Sequence, residues 1–348
     1  MKPLLLALLT VLALPLCGRA APAASPPNPF LWGASHVADA GWGRMIRLAD
    51  GRWLAVGTLY PSKTTHVLQL KLSRDNARTW TTLSTVAEEG RQMDNGELIQ
   101  LADGTILLTG RSIIDKQSYH LPVYQSKDGG AHWAFLSQID TNDAVVQNNV
   151  PSQGLWEPHF FKLAAGYLAV AYATEKHVLG TPAYSQTYSQ ICAERVSGDG
   201  GKTWGPESVL VSQPGGGSLR PGMPVVTQMQ DGRYIEVSEI VGRGHADVYC
   251  KLSPDGLIWP PGLGTAIPDH HAGPWVASLT DGRLVVTSCA NQISYSDDCG
   301  TTWTRAAPAW DIGFVLSWPA IYQTGPNEIA VMNTYRGINI RFGAYQPR

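Results

Sequence analysis

Residues 197–204 read SGDGGKTW, and near-copies stand at 73–80 (SRDNARTW), 126–133 (SKDGGAHW), 253–259 (SPDGLIW, one residue shorter) and 296–303 (SDDCGTTW). The shared pattern is S-x-D-x-G-x-T-W. Alternating with it runs a second repeat, an apolar strand, a tight turn and another apolar strand: IRLADGRWLAV (46–56), IQLADGTILLT (99–109), FKLAAGYLAVA (161–171), TQMQDGRYIEV (227–237), ASLTDGRLVVT (277–287) and YQTGPNEIAVM (322–332). Asp-Gly at the centre suits a two-residue hairpin turn, because glycine takes positive φ without steric cost. Apolar β-formers on both sides mark strands. Six plain hairpins and five boxed ones give units of about four strands, which predicts an all-β chain folded as a six-bladed β-propeller.

Inside the boxes, Asp75, Asp128, Asp199, Asp255 and Asp298 can accept hydrogen bonds from turn N–H groups, and Trp80, Trp133, Trp204, Trp259 and Trp303 can plug the space between sheets. Their role is structural rather than catalytic. The sixth unit has no box: after its hairpin come only INIRFGAY (338–345) and the chain's last residues. Its fourth strand is expected from the N-terminus, over FLWGAS (30–35), closing the ring so that no sheet edge stays open.

The composition agrees with a turn-rich fold around a large core. Of 348 residues, 44% are hydrophobic and only 16% charged, with 36 Gly and 12 Trp, which excludes disorder. A formal net charge of -2 offers no basic footprint for nucleic acid. Lys2, the apolar run from Leu4 to Leu16 and the small residues Gly18, Ala20, Ala21, Ala23 and Ala24 read as a signal peptide over 1–20, followed by a disordered Pro/Ala-rich lead over 21–29 and the propeller over 30–348. That run is too short for a membrane anchor, so a secreted monomer is expected. The four cysteines beyond the signal, Cys192, Cys250, Cys289 and Cys299, permit two disulfides in an exported chain, Cys289–Cys299 closing one hairpin and Cys192–Cys250 linking neighbouring repeats, with free buried thiols as the competing reading. No metal-ligand spacing is present, and no cofactor is implied.

The repeat supplies coordinates for a site. Eight residues before the turn glycine (Asn327 in the sixth hairpin) stand Gly43, Gly96, Pro158, Pro224, Pro274 and Pro319; nine before stand Trp42, Asn95, Glu157, Met223, Gly273 and Trp318; seven after stand Thr58, Arg111, Ala173, Glu239, Cys289 and Thr334. Both outer sets fall at the open ends of their hairpins, opposite the boxes. Glu157 and Glu239 therefore meet near the axis from adjacent blades, and two carboxylates at a pocket mouth are what glycosidic cleavage needs. Glu236 is the alternative to Glu239, since a mid-strand carboxylate among apolar neighbours is costly unless paired. Trp42, Trp156, Trp275, Trp318 and Tyr335 lie on the same open ends, where flat rings suit sugars and core packing is the competing use. Arg44, Arg111 and Arg220, with Asn95, can hold hydroxyls or a carboxylate. His270 and His271 are expected in a solvated loop at that face.

At this point the chain resembles the Asp-box (BNR) sialidase superfamily of six-bladed propellers, over essentially the whole mature length. WEPHF (156–160) and RPGMPVVTQMQDGRYIEVSE (220–239) resemble, more narrowly, segments of the family 93 glycoside hydrolases. That resemblance implies a secreted, retaining, exo-acting 1,5-α-L-arabinanase on a polysaccharide or oligosaccharide, with Glu157 on the nucleophile and Glu239 on the acid/base. Two other readings compete. An exo-sialidase would recruit Tyr335, Glu239, Asp94, Arg44 and Arg243, but Arg44-Met45-Ile46 departs from the usual Arg-Ile-Pro, and a complete arginine clamp would need Arg336 to bend inward. A non-catalytic carbohydrate-binding propeller would use the same aromatics without two facing carboxylates.

Overall fold

A computed structural model describes residues 33–115, 117–143, 154–176, 190–213, 219–308, 310 and 317–345. The expected signal peptide and lead lie outside these residues. The chain enters on β1 (Gly33–Ala38), then forms blade 1 from β2 (Gly41–Arg47), β3 (Trp53–Leu59), β4 (Val67–Ser73) and β5 (Thr81–Val86). Blade 2 is β6 (Gln92–Gln100), β7 (Ile106–Ile114), β8 (Ser118–Ser126) and β9 (Ala134–Asn142); blade 3 is β10 (Leu155–Lys162), β11 (Leu168–Thr174), β12 (Ile191–Ser197) and β13 (Ser208–Val211). Blade 4 is β14 (Arg220–Gln228), β15 (Tyr234–Val241), β16 (Asp247–Ser253) and β17 (Thr265–His271); blade 5 is β18 (Trp275–Ser278), β19 (Leu284–Thr287), β20 (Ile293–Ser296) and β21 (Thr304–Ala307). Blade 6 is β22 (Ala320–Gly325), β23 (Glu328–Asn333) and β24 (Ile338–Ala344), with β1 as its outer strand, antiparallel to β24. That outer strand runs three residues later than the expected 30–35, of which 30–32 are outside the described residues. All-β propeller architecture is thus what the alternating repeats encode.

The plain hairpins are wider than Asp-Gly suggests. Leu48 N–H donates to Arg52 O and Gly51 N–H to Leu48 O, so three residues, 49–51, make the loop. Gly51, Gly104, Gly232 and Gly282 share φ between 86 and 89° as the last loop residue, the left-handed position that closes a three-residue hairpin. The two-residue turn occurs only in the sixth hairpin, where Gly325 pairs with Glu328 around Pro326-Asn327.

The boxes stitch turns and blades together. Ser197 Oγ and Thr203 Oγ1 donate to the Asp199 carboxylate at 2.8 and 2.6 Å, and the N–H groups of Lys202 and Thr203 add 3.0 and 2.9 Å bonds. The Thr203 hydroxyl and N–H hold that carboxyl down at about 2. Three of the tryptophans bond the preceding blade: Trp133 Nε1 donates to Ser84 Oγ, Trp204 Nε1 to Ser137 Oγ and Trp259 Nε1 to Glu194 Oε2. Trp204 also stacks on Phe160 at 6.2 Å, over an apolar cluster between blades 2 and 3 built from Leu107, Leu121, Val123, Val170 and Tyr172. Burying such side chains stabilises by roughly 1.5–3 kcal/mol each, so the interfaces between blades are the core.

All four cysteines among the described residues are free. Cys192 faces the interface of blades 3 and 4, whereas Cys250 faces blade 5 from the far side of the blade 4 sheet. Cys289 and Cys299 sit beyond opposite ends of β20. Neither expected pair can meet within bonding reach. Thiol titration of the denatured, unreduced protein is therefore expected to find Cys192, Cys250, Cys289 and Cys299 free, and a reductant to leave Tm unchanged. A Tm that falls on reduction would restore a bridge.

Candidate active site

Nine residues before the hairpin turns, the backbone repeats one unusual conformation. Trp42 (φ 49°), Asn95 (53°), Glu157 (54°), Met223 (51°), Gly273 (52°) and Trp318 (48°) all lie in the left-handed region, which costs a non-glycine residue roughly 1–2 kcal/mol. In blades 1 to 4 the pairing of the two inner strands slips here, between Gly41 and Arg44, Asp94 and Glu97, Trp156 and His159, and Gly222 and Val225. These are β-bulges, which bend a strand and re-aim its side chains. They ring the mouth of the propeller on the face away from the hairpin turns. The next residue must be slim in blades 1 and 2: a Cβ on Gly43 would lie 2.6 Å from Met332 Sδ, and one on Gly96 2.7 Å from Val56 Cγ2.

Glu157 is the bulge residue of blade 3, and its Oε2 accepts the N–H of Met223, the bulge residue of blade 4, at 3.0 Å. Glu239, on β15, accepts the N–H of Gly273, the left-handed residue just before β18 in blade 5, at 2.7 Å. Between them lies Gly222: a Cβ there would stand 3.7 Å from Glu157 Oε2 and 3.7 Å from Glu239 Oε1. Those two oxygens can be no further apart than twice that distance. Burial first, then the neighbouring Glu239 charge, pushes the Glu157 carboxyl up to about 7, against the pull of the Met223 N–H, Arg111 and Arg220. Burial also raises Glu239, against the Gly273 N–H and Arg220. Two half-buried carboxyls that disfavour each other's ionisation share one proton over a span of pH.

Around them the expected mouth residues divide. Arg111 stacks over Trp156, with 4.8 Å from Cζ to the ring, and pairs with Asp94 at 3.3 Å. Asp94 also accepts Thr58 Oγ1 and the Asn95 N–H at 2.7 and 2.8 Å. Arg220 donates to Glu175 and, at 2.7 Å, to Gln190 Oε1. Several buried polar atoms here meet no partner in the protein: Trp42 Nε1, His66 Nδ1, Asn95 Oδ1, Arg111 Nε, Trp156 Nε1 and Arg220 Nε. Such atoms at a mouth are sites for ligand hydroxyls. Trp318 is 40% exposed, and Tyr335 is half-buried beside the Arg336 guanidinium.

Four expectations are corrected. Trp275 is 6% exposed, donates to Ile321 O and meets His159 edge-on, so it is core. Arg44 is 2% exposed and bonded to backbone carbonyls, leaving none of its charge for solvent. His270 is no solvated loop residue: it ends in β17, buried between Ser288 Oγ and Ser294 Oγ at 3.0 and 2.9 Å. Glu236 is also not at the mouth. It faces the interface of blades 3 and 4, 0% exposed, and neither carboxyl oxygen meets a hydrogen-bond donor. Residues missed by the spacing argument are Gly222 and Asp94, each ten before its turn glycine, and Glu175.

A larger cavity, of about 730 Å³, opens at the opposite end of the axis and is lined by Arg47, Gln100, Lys162, Gln228, Ser278 and Gln323 near the hairpin turns. Arg44, Glu97, His159 and Trp275 separate it from the Glu157 mouth. Among the described residues no group of three His, Cys, Asp or Glu side chains is placed to hold a metal ion.

No protein-family model matches the chain, and no curated protein sequence matches it. Its fold is shared by solved structures. The Penicillium chrysogenum α-L-arabinanase complexed with arabinobiose superimposes with a TM-score of 0.75 and 22% identity, over 91% of this chain and 98% of that one. The family 93 α-L-arabinofuranosidase of Fusarium graminearum, also with arabinobiose, gives 0.73 and 20%, over 91% and 98%. A Streptococcus pneumoniae NanB sialidase variant gives 0.66 and 10%, over 89% and 68%.

Glu236 generates a stability prediction. Burial raises its carboxyl well above the usual carboxylate value, against the pull of the Lys251 charge, so above the unfolded-chain value the folded state holds a proton the unfolded state has lost, and stability falls as pH rises. Glu236→Gln is expected to flatten that decline, measured as Tm between pH 5 and 8. An unchanged slope would show that Glu236 is ionised and paired in solution.

Proposed function

We propose that this chain is a secreted, retaining glycoside hydrolase that cleaves α-1,5-linked L-arabinan from its non-reducing end. The observation that carries the reading is the pair Glu157 and Glu239 flanking Gly222. Their separation allows the roughly 5–5.5 Å of enzymes that retain configuration. The sugar specificity follows the shared fold of two enzymes whose structures hold arabinobiose; secretion follows the N-terminal sequence, and exo action the resemblance to family 93.

In this reading Glu157 attacks the anomeric carbon while the glycosidic C–O bond breaks and its oxygen takes the proton of Glu239. The product is a glycosyl ester on Glu157 and a free chain end. Glu239, now a carboxylate, removes a proton from water, whose oxygen attacks the anomeric carbon and frees Glu157. Burial and the Glu239 charge both favour a proton on Glu157, so the nucleophile and acid roles are taken from the resemblance to family 93; the reaction in this reading runs from the form of the pair in which the shared proton sits on Glu239. The unpartnered Asn95 Oδ1, Arg111 Nε and Trp156 Nε1 are available for sugar hydroxyls.

A sialidase reading is weaker. Of the arginines it would recruit, Arg44 is consumed by backbone carbonyls, Arg243 lies exposed in the turn after β15 and Arg336 rests over the Tyr335 ring, so Arg44 is lost to a clamp for a substrate carboxylate.

Wild type is expected to release arabinose-containing products from linear arabinan, with Glu157→Gln and Glu239→Gln each slower by orders of magnitude. Release of sialic acid from a sialoside run in parallel, with arabinan untouched, would move the chemistry to Tyr335. Gly222→Ala places a methyl between the carboxylates at a backbone position without positive φ. That methyl would also stand 2.8 Å from Gln190 Nε2, so the Gln190 amide must move; kcat/KM is expected to fall by roughly a hundredfold, with Tm read alongside to give the stability cost of that shift separately. The kcat/KM profile should fall above about pH 7, where the pair loses its last proton. With α-L-arabinofuranosyl fluoride, which needs no acid, Glu239→Gln should lose that alkaline limb, and its persistence would assign the limb to another group.

A further inference from the structure

Arg44 gathers most of the ring onto one guanidinium. Nη1 donates to Gly43 O in blade 1 at 2.7 Å and to Trp318 O, just before blade 6, at 3.0 Å. Nε stands 3.8 Å from Glu97 Oε2 in blade 2. Its flat faces are covered by Trp42 at 4.4 Å and by Trp275 of blade 5 at 4.8 Å. Only a planar, always-charged fork can stack on two rings and bridge two carbonyls at once. Of the contacts that hold the Trp318 backbone, those through Ser317 come from its own blade: Ser317 N–H donates to Asn333 Oδ1 at 2.9 Å, and Ser317 O accepts the Thr334 N–H at 3.1 Å. From other blades, Arg44 ties the Trp318 carbonyl and the Cys289 thiol of blade 5 takes a backbone hydrogen bond from Trp318, and Trp42 lies against the Trp318 ring at 5.5 Å.

Trp318 is the most exposed of the mouth tryptophans, 40% against 4% for Trp42 and 6% for Trp275, with Trp156 half-buried. In a six-membered ring, blade 6 stands across the axis from blade 3, which carries Glu157. The leaving group departs on the side of the acid that protonates it; Glu239 accepts the Gly273 N–H at 2.7 Å, and a Cβ on Gly273 would stand 3.5 Å from Trp318 Cα, so that side leads to the start of blade 6. We propose that Trp318 carries the leaving-group side of the bound saccharide chain and that Arg44 is the positioning residue that fixes its ring. The inference rests on the glycosidase reading above.

The test compares linear 1,5-arabino-oligosaccharides with α-L-arabinofuranosyl fluoride, whose leaving group has no sugar to stack. The readout is the ratio of kcat/KM on oligomer to kcat/KM on fluoride. Trp318→Ala is expected to lower the ratio roughly tenfold, chiefly through KM, and Trp318→Phe to restore most of it. Arg44→Lys should lower the ratio by a similar factor in wild type and by nothing further in Trp318→Ala. Equal losses on both substrates, additive losses in the double variant, or no loss would each overturn the proposal. If Arg44→Lys does not fold, the Trp318 pair still decides the leaving-group assignment. Acrylamide quenching of Trp318 fluorescence, taken as the difference between wild type and Trp318→Phe, should change in Arg44→Lys whether or not any sugar is cleaved. A wild type inert on both substrates would defeat the glycosidase reading, while the quenching still decides whether Arg44 holds the ring.

Discussion

A bulged strand frees a backbone N–H from its ladder, and a buried N–H must find an acceptor. In this propeller the left-handed residue at the head of the innermost strands creates that demand repeatedly, and carboxylates meet it: Asp94 for the N–H of Asn95, Glu157 for Met223 and Glu239 for Gly273. The bonds that finish the backbone at the mouth are therefore the bonds that aim the Asp94, Glu157 and Glu239 side chains. Two of them cross from one blade to the next, so the geometry of the Glu157–Glu239 pair depends on how blades 3, 4 and 5 pack. The site belongs to the interfaces between blades.

Electrostatics at the axis follows from the same arrangement. Beneath the mouth, Arg44, Glu97 and His159 form a buried charged floor, with Glu97 Oε2 at 3.8 Å from Arg44 Nε and 3.9 Å from His159 Nδ1. Burial lowers the Arg44 guanidinium from its ordinary value, against the charges of Glu97 and Glu157. Buried ion groups of this kind contribute little net stability but are costly to break. They also wall the mouth from the wider channel that opens at the turn face, so the two ends of the axis are separate environments.

Much of this was legible in the repeat. Six hairpins counted from their turn glycines bring Glu157 and Glu239 to one face, because strand position fixes which end of a blade a residue occupies. The counting stops where the backbone stops being regular. Trp42, Asn95, Glu157, Met223 and Trp318 share no chemistry that favours positive φ, and tertiary packing imposes it. The same gap hid Arg44. An arginine two residues past the bulge reads as a mouth residue, but in the structure it turns inward between two tryptophans. Glu236 stood out as a carboxylate in an apolar strand, a sound signal of something unusual, yet side chains alternate along β15, so Glu236 and Glu239 leave opposite faces of the sheet. Cys192 and Cys250 looked like neighbours by count, and a whole sheet lies between them.

The pairing of β1 with β24 has a consequence for how the molecule is made. His36 Nδ1 bonds Asn339 Oδ1 across a separation of 303 residues, close to the longest contact this chain can form. Loop-closure entropy defers such a contact until little chain remains free. The first strand to leave the ribosome is then among the last to find its partner. Until it does, blade 6 shows an open edge and the ring, with the Arg44 tie between blades 1 and 6, is incomplete. Closure and completion of the mouth are one event.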